Sequence, residues 1–220
     1  MENINLLSKC DLFAGLSLDE ITNLSGCLSA KQIKLRRNMF VFSAGDSVSQ
    51  VYLILSGSMH IIDEDFWGNR SIIETMNAHT LFGEAYVFSG RETHITSVIA
   101  AEDSVILEID PKLLFETCPN DCDFHNSLNK NALHILSLKI VRLTEKLGHI
   151  THRTMRERLL SYLSQCSRHE NSSEFKIPYS RQQLADYLCV DRSALSHELS
   201  RLKRDGILRY NKNYFELLEP

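Results

Sequence analysis

The chain has 220 residues, 43% of them hydrophobic and 24% charged, and carries a formal net charge of −4. That length holds two modest cores, and no apolar run approaches the roughly 20 residues of a membrane span, which sets a membrane partner aside. The opening MENINLLSKCDLF lacks the basic-then-apolar form of a secretory signal, and the scattered cysteines 10, 27, 118, 122, 166 and 189 read as reduced thiols, so a cytoplasmic protein is expected.

Residues 11–28 predict a short helix. Ser17-Leu18-Asp19-Glu20 is a capping box, with Leu16 ahead of it and Ile21 and Leu24 behind. From Lys31 to Asp110 the texture changes to short β-branched runs at 39–42, 51–55, 59–62, 71–73, 97–99 and 105–109. Turn-forming clusters separate them: Ala44-Gly45-Asp46, Ser56-Gly57-Ser58, Gly68-Asn69 and Ser89-Gly90. Many short strands broken by turn signals argue for a sandwich, barrel or jelly-roll.

Residues 111–150 are expected to be helical. Leu136, Ile140, Leu143, Leu147 and Ile150 are spaced 4, 3, 4, 3, which is a heptad seam. The seam packs either on the β region or on its own copy in a second chain. The second is favoured, because only a short β-roll is available to cover so long a helix. Cys118, Cys122 and His125 share one helical face; they read as a helix start at Pro119 with small buried thiols rather than a metal or redox site. No metal and no cofactor are expected.

A boundary falls near residues 148–154. Thr154-Met155-Arg156-Glu157 is a second capping box and opens a helix to about Cys166, with a polar surface loop over 167–174. Ser180 caps a helix over 181–188, Cys189-Val190 makes a tight connection, and Asp191 caps another helix over 192–205. Ala185 lets the two helices cross closely, and Leu184, Leu188, Val190, Leu195, Leu199 and Leu202 supply a shared core. Gly206 ends the second helix. Residues 207–217 then read as a hairpin turning at Asn211-Lys212-Asn213.

Two short helices at this spacing form a helix-turn-helix whose second helix enters the major groove, and the hairpin is its wing. The alternative is an ordinary helical hairpin with solvated basic residues. Charge favours the first: residues 151–220 hold 12 Lys+Arg against 9 Asp+Glu, whereas residues 1–150 hold 12 against 19. The early exposed positions of the second helix are Arg192, Ser193, Ser196 and His197. Arginine pairs with guanine edges, serine or histidine can reach other edges or phosphates, and Arg181, Arg201 and Lys212 sit where phosphates should pass; Ser180 completes the expected DNA-binding set.

SRQQLADYLCVDRSALSHELSRLKRDGIL resembles the DNA-binding unit of the Crp/Fnr family of bacterial regulators. FVFSAGDSVSQVYLILSGSMHII and LFGEAYVFSG are similar to its β region, with Gly45, Gly57, Gly83 and Glu84 at family places. The resemblance runs from about Leu12 to Leu217. It implies an α+β fold in three parts: a cyclic-nucleotide-binding-like β-roll (a jelly-roll) over 1–115, a long dimerisation helix over 116–150, and a winged helix-turn-helix over 151–220.

The departures are informative. In cyclic-AMP-responsive members the Gly-Glu pair is followed about eleven residues later by Arg-Ser, which holds the cyclic phosphate; here those places are His94-Ile95. An isoleucine cannot hydrogen-bond a phosphate, and a neutral histidine is a poor substitute for a bidentate arginine. Arg91 lies three residues too early, and the two helix positions that meet the adenine are Leu143 and Thr144. The effector residues implied are therefore Gly83, Glu84, Arg91, His94, Ile95, Leu143 and Thr144, with cyclic AMP not the expected effector. An iron-sulfur cluster of the family kind is excluded, because no cysteine lies between 28 and 117. In the reader, Ser193 and His197 replace a family glutamate and arginine, which implies different preferred bases.

The expected function is a sequence-specific transcription regulator. It is expected to be a homodimer on a near-palindromic double-stranded operator, with RNA polymerase as a further partner and an unidentified small-molecule or redox effector. A cyclic-nucleotide-binding regulatory subunit acting on a protein is the alternative, and the winged-helix tail counts against it. A cupin-like metalloenzyme needs clustered histidines on strands; His60 stands there without a His-x-His, and no enzyme activity is expected.

Overall fold

Ser17 and Glu20 form the expected reciprocal cap: the Ser17 N–H donates to Glu20 Oε2 at 2.7 Å and the Glu20 N–H to Ser17 Oγ at 3.3 Å. In the computed structural model, which describes residues 4–27, 30–67, 70–112 and 123–218, helix α2 therefore begins at Leu18 and spans Leu18–Cys27. The helix expected from residue 11 is shorter than that. Residues Asp11–Phe13 instead form a 3-10 turn behind the short α1 (Ile4–Leu7), because a capping residue is held out of helical geometry. Contacts divide the chain into two units, Met1–Ser137 and Leu138–Pro220.

The first unit continues through β1 (Lys31–Leu35), β2 (Phe40–Phe42), β3 (Val51–Ser56), β4 (Ser58–Glu64), β5 (Arg70–Asn77) and β6 (Leu81–Phe82). Then come α3 (Glu84–Phe88), β7 (Ser97–Ala100) and β8 (Ser104–Ile109). The strands form two four-stranded antiparallel sheets, ordered β1-β8-β3-β6 and β2-β7-β4-β5. Strand β3 explains how they stack. Its residues alternate between two cores: Val51, Leu53 and Leu55 join Leu12, Phe13, Ile21, Leu128 and Ala132, while Tyr52 and Ile54 join Phe42, Met59, Met76 and Phe82. Being covered on both faces, β3 reads as an unbroken apolar run rather than an alternating one.

Two strands lie outside the expected set. Edge strand β1 carries Lys34 between its inward Ile33 and Leu35, and β6 has only two residues, so neither shows a β-branched run. Strand β5 is longer than the expected 71–73, because β4 pairs along it from Ser58↔Asn77 to Glu64↔Arg70.

Helix α4 (Asp123–Ile150) runs for 28 residues. The start of the expected helix, with Cys118 and Cys122, lies outside the described residues; His125 is buried. Along α4, Ile140, Leu143 and Leu147 are 64%, 58% and 57% exposed, so the middle of the seam is uncovered in the single chain, while Leu136 and Ile150 at its ends are partly buried.

In the second unit α5 (Met155–Glu170) opens on the expected capping box at Thr154. It does not stop at Cys166. Its last turn is polar and so carries no apolar period, and Asn171 in the left-handed conformation (φ 50°) ends it. The expected polar loop thus shrinks, and Glu174–Lys176 forms β9 with Phe175 turned inward. Then follow α6 (Arg181–Tyr187), α7 (Arg192–Arg204), β10 (Leu208–Asn211) and β11 (Tyr214–Leu217), the strands ordered β10-β11-β9. One core unites Leu159, Leu163, Leu184, Leu195, Leu199 and Phe215.

Candidate nucleic-acid interface and effector site

Two caps aim the helix pair. Ser180 Oγ accepts the Gln183 N–H at 3.3 Å while Gln183 Oε1 accepts the Ser180 N–H at 2.8 Å. Asp191 Oδ1 accepts the Ala194 N–H at 2.9 Å. Between them Cys189 takes φ +54°, and the Val190 N–H reaches back to Ala185 O at 3.0 Å. Arg158 braces this turn from α5, its Nη1 donating to the carbonyls of Leu188 and Cys189 at 3.3 and 3.4 Å. Helix α7 closes in a Schellman motif: the Ile207 N–H bonds Leu202 O at 3.0 Å and the Gly206 N–H bonds Lys203 O at 3.2 Å. Gly206, at φ +74°, supplies the left-handed residue that motif needs.

Helix α7 buries Leu195, Glu198, Leu199 and Leu202 and leaves Arg192, Ser193, His197 and Arg201 exposed. Ser193, His197 and Arg201 are spaced four apart and share a stripe. Two predicted contacts are partly engaged within the chain. Ser193 Oγ donates to Asp191, and Ser196 Oγ donates to Arg192 O at 2.9 Å. Lys212 is exposed at the wing turn, at φ +55°.

Arg181 is half-buried rather than free on the surface. Its Nη2 donates to Lys212 O at 3.2 Å, and its guanidinium lies 5.3 Å from the Tyr210 ring centre and 5.9 Å from that of Phe215. Burial lowers its pKa from the usual arginine value. Arg181 thus ties the first helix of the pair to the wing.

Sequence reasoning missed the clamp behind α7. Arg156 Nη1 lies 3.2 Å from Glu198 Oε1 and 3.1 Å from Asp205 Oδ2, and Nη2 lies 3.2 Å from the same Asp205 oxygen. Glu198 is 7% exposed. A carboxylate on the inner face of an otherwise leucine-lined helix was the available signal, since such a group needs a cationic partner.

In the β-roll, Gly83 caps α3 at φ +85°. A side chain there would come 3.2 Å from Gln50 O and 3.3 Å from the Tyr52 ring. Glu84 and His94 are each 3% exposed. His94 stacks on Phe42, ring centres 3.7 Å apart at 13°, and meets Tyr86 edge-on at 4.8 Å. Its Nδ1 is buried and makes no hydrogen bond. Burial pushes the imidazole pKa down, with Asp46 opposing, which favours the neutral ring. Ile95, by contrast, is 59% exposed: its neighbour His94 turns inward and Ile95 faces solvent. Arg91 is also exposed. Leu143 and Thr144 belong to the second unit, both exposed on α4, with Thr144 Oγ1 donating to Ile140 O at 2.9 Å.

The chain matches two family models, a cyclic nucleotide-binding domain over residues 32–121 and a Crp-like helix-turn-helix domain over 157–220. Among curated relatives it is 24% identical to the transcriptional regulatory protein btr of Bordetella pertussis, over 93% of this chain and 84% of that one. It is 23% identical to the fumarate and nitrate reduction regulatory protein of Escherichia coli, over 92% and 80%. Its fold is similar to that of OCPA-complexed CprK (TM-score 0.63, 17% identity, 90% and 88% covered). It is also similar to the c-di-GMP responsive regulator CLP of Xanthomonas campestris (TM-score 0.52, 21% identity, 90% and 97% covered). With a cyclic-nucleotide-binding-type β-roll ahead of a Crp-like helix-turn-helix, the chain belongs to the Crp/Fnr family of DNA-binding transcription regulators.

Proposed function

We propose that this regulator works in the cytoplasm as a homodimer on a near-palindromic operator. The β-roll of residues 1–115 senses, the helix of 116–150 dimerises, and the winged helix of 151–220 reads DNA. The observation that carries the reading is the outer face of α7, where Arg192, His197 and Arg201 are exposed over a leucine core. Arg192 contacts a base edge, and Ser193, Ser196 and His197 tune the choice beside it. Ser180, Arg181, Arg201 and Lys212 hold phosphates. Two such helices, about 34 Å apart, meet successive major grooves. The exposed Ile140, Leu143 and Leu147 support the dimer seam. RNA polymerase is the further partner.

The effector is not cyclic AMP. A neutral, stacked His94 offers a cyclic phosphate no cation where family members place arginine. CprK was solved with OCPA and CLP responds to c-di-GMP, so related folds serve chemically unlike ligands. Gly83, Glu84, Arg91, His94 and Ile95, with Leu143 and Thr144, are the residues through which another ligand acts. Selection of bound sites from random DNA by the purified protein, with and without cell extract, tests the proposal. A two-fold symmetric site with salt-sensitive affinity is expected; recovery of unselected DNA rejects the reading.

A further inference from the structure

Helix α4 ends at Ile150 and α5 begins at Met155, so four residues turn the chain from the long helix into the helices of the reading head. The last turns of α4 meet that head through side chains. His149 Nδ1 lies 2.9 Å from Ser161 Oγ on α5. Glu145 Oε1 lies 3.6 Å from His169 Nε2 on α5. The Lys146 ammonium lies 5.7 Å from the Tyr187 ring centre on α6. His149 is the buried member of this set, 4% exposed and edge-on to Tyr162 at 5.7 Å. Its Nε2 is buried without a hydrogen bond of normal geometry, and it lines a cleft of about 530 Å³ with Glu145, Gln165, Arg168 and His169.

We propose that His149 is an acid-sensitive latch at this junction: neutral, it holds the last turn of α4 against α5, and protonated, it releases it. The geometry serves an imidazolium poorly: one nitrogen already meets Ser161, and the other is buried away from water with no well-formed hydrogen bond, only the Gln165 side chain beside it. The surrounding charges are mixed. From α4, Glu145 favours the cation while Lys146 is turned to Tyr187. From the connection His152, and from α5 Arg168, oppose it. The Gln165 side chain on α5 favours it; Tyr162 on α5 and Tyr187 on α6 face the ring uncharged. Burial outweighs the rest and lowers the ring's pKa.

The sign follows. In an opened junction the ring meets water and titrates near its ordinary value, about 6.5. Above that pH both states hold a neutral ring and the closed junction loses nothing. As pH falls below it, the open state takes the proton in preference, and closure weakens. The latch is a property of the junction and stands or falls independently of which DNA is read.

Hydrogen exchange on the full chain at pH 7.5 and 5.5, corrected for intrinsic rates, tests it. Protection across residues 145–162 should fall in acid, by up to about tenfold, the most that one pH unit below the open ring's ordinary value allows, with the α6–α7 core unchanged. His149→Asn, whose amide serves Ser161 but does not titrate, should abolish that fall. Unchanged protection in the wild type, or the same fall in the variant, overturns the latch. Should the variant misfold, an NMR titration of the wild-type His149 ring decides: a midpoint below 6.5 is expected, and one at or above it rejects the proposal.

Discussion

At the position where cyclic-AMP-responsive relatives place an arginine, the β-roll holds His94, buried and stacked on Phe42; in the winged helix, the first recognition-helix arginine, Arg192, is kept and exposed. Both regions keep the family's backbone devices, Gly83 at the α3 cap and the capped helix pair. They differ in what the side chains offer a partner. The reading head leaves its cations in water, where a phosphate or a base edge can replace hydration. The β-roll spends its corresponding position on ring stacking, which fills the interior and removes a charge. A sensor can thus change its ligand without disturbing the fold, because the strands are set by apolar alternation and not by the group that meets the ligand.

The largest effect expected is on assembly. Replacing Leu143 and Leu147 by glutamate should give monomers in ultracentrifugation and weaken operator binding by about a hundredfold or more, through loss of two-site attachment. Dimers that survive the change would place the interface elsewhere. Arg156→Ala comes next. It leaves the buried Glu198 without its cation and should destabilise the second unit by about 2–3 kcal/mol in denaturant unfolding. Adding Glu198→Leu should recover most of that loss, and failure to recover would mean the clamp is not what orients α7.

Arg192→Ala should cost about 1–3 kcal/mol on the best site and relax preference at one base pair per half-site. Retained base preferences would show the helix to be read in the wrong register. Arg181→Ala should weaken all sequences alike and make the salt slope shallower by about one per half-site. Because Arg181 also holds the wing turn, it should lower the melting temperature too; Arg192→Ala should not. The smallest effects concern the β-roll. Calorimetry should show no micromolar cyclic AMP binding; a micromolar site would mean that Arg91 or His94 carries the phosphate, and the contrast between the two regions would vanish. His94→Phe keeps the stack on Phe42 and removes a ring whose pKa burial depresses. Unfolded chains take up the proton below about pH 6.5 more readily than the native ring does, so the variant should resist acid better than the wild type. Equal acid sensitivity would show that His94 is not buried as described.

The helix-turn-helix was legible because its signals are local. Ser180, Asp191 and Gly206 mark helix ends by chemistry within four residues, and leucine spacing marks the inner face. The seam on α4 was legible for the same reason. The placement of Arg181 against Tyr210 and Phe215 was not, since the wing that it meets lies some thirty residues downstream and nothing at residue 181 records it. Nor was the Arg156 clamp, whose carboxylates at 198 and 205 are equally remote. Strands β1, β6 and β9 were missed because their pairing comes from a neighbour's backbone and not from their own composition.

By itself, then, the order of residues determined most of the element types, which follow from periodicity, caps and turn residues read over short windows, and the family, through the motifs those elements carry. What only the tertiary structure decided is which polar groups face water. Of His94 and Ile95, adjacent in the chain, one is 3% and the other 59% exposed, because a packed interior accepts the ring that can lie flat on Phe42 and turns its neighbour outward. Exposure of this kind is set by contacts between distant segments, and it separates the exposed Arg192 from the buried His94.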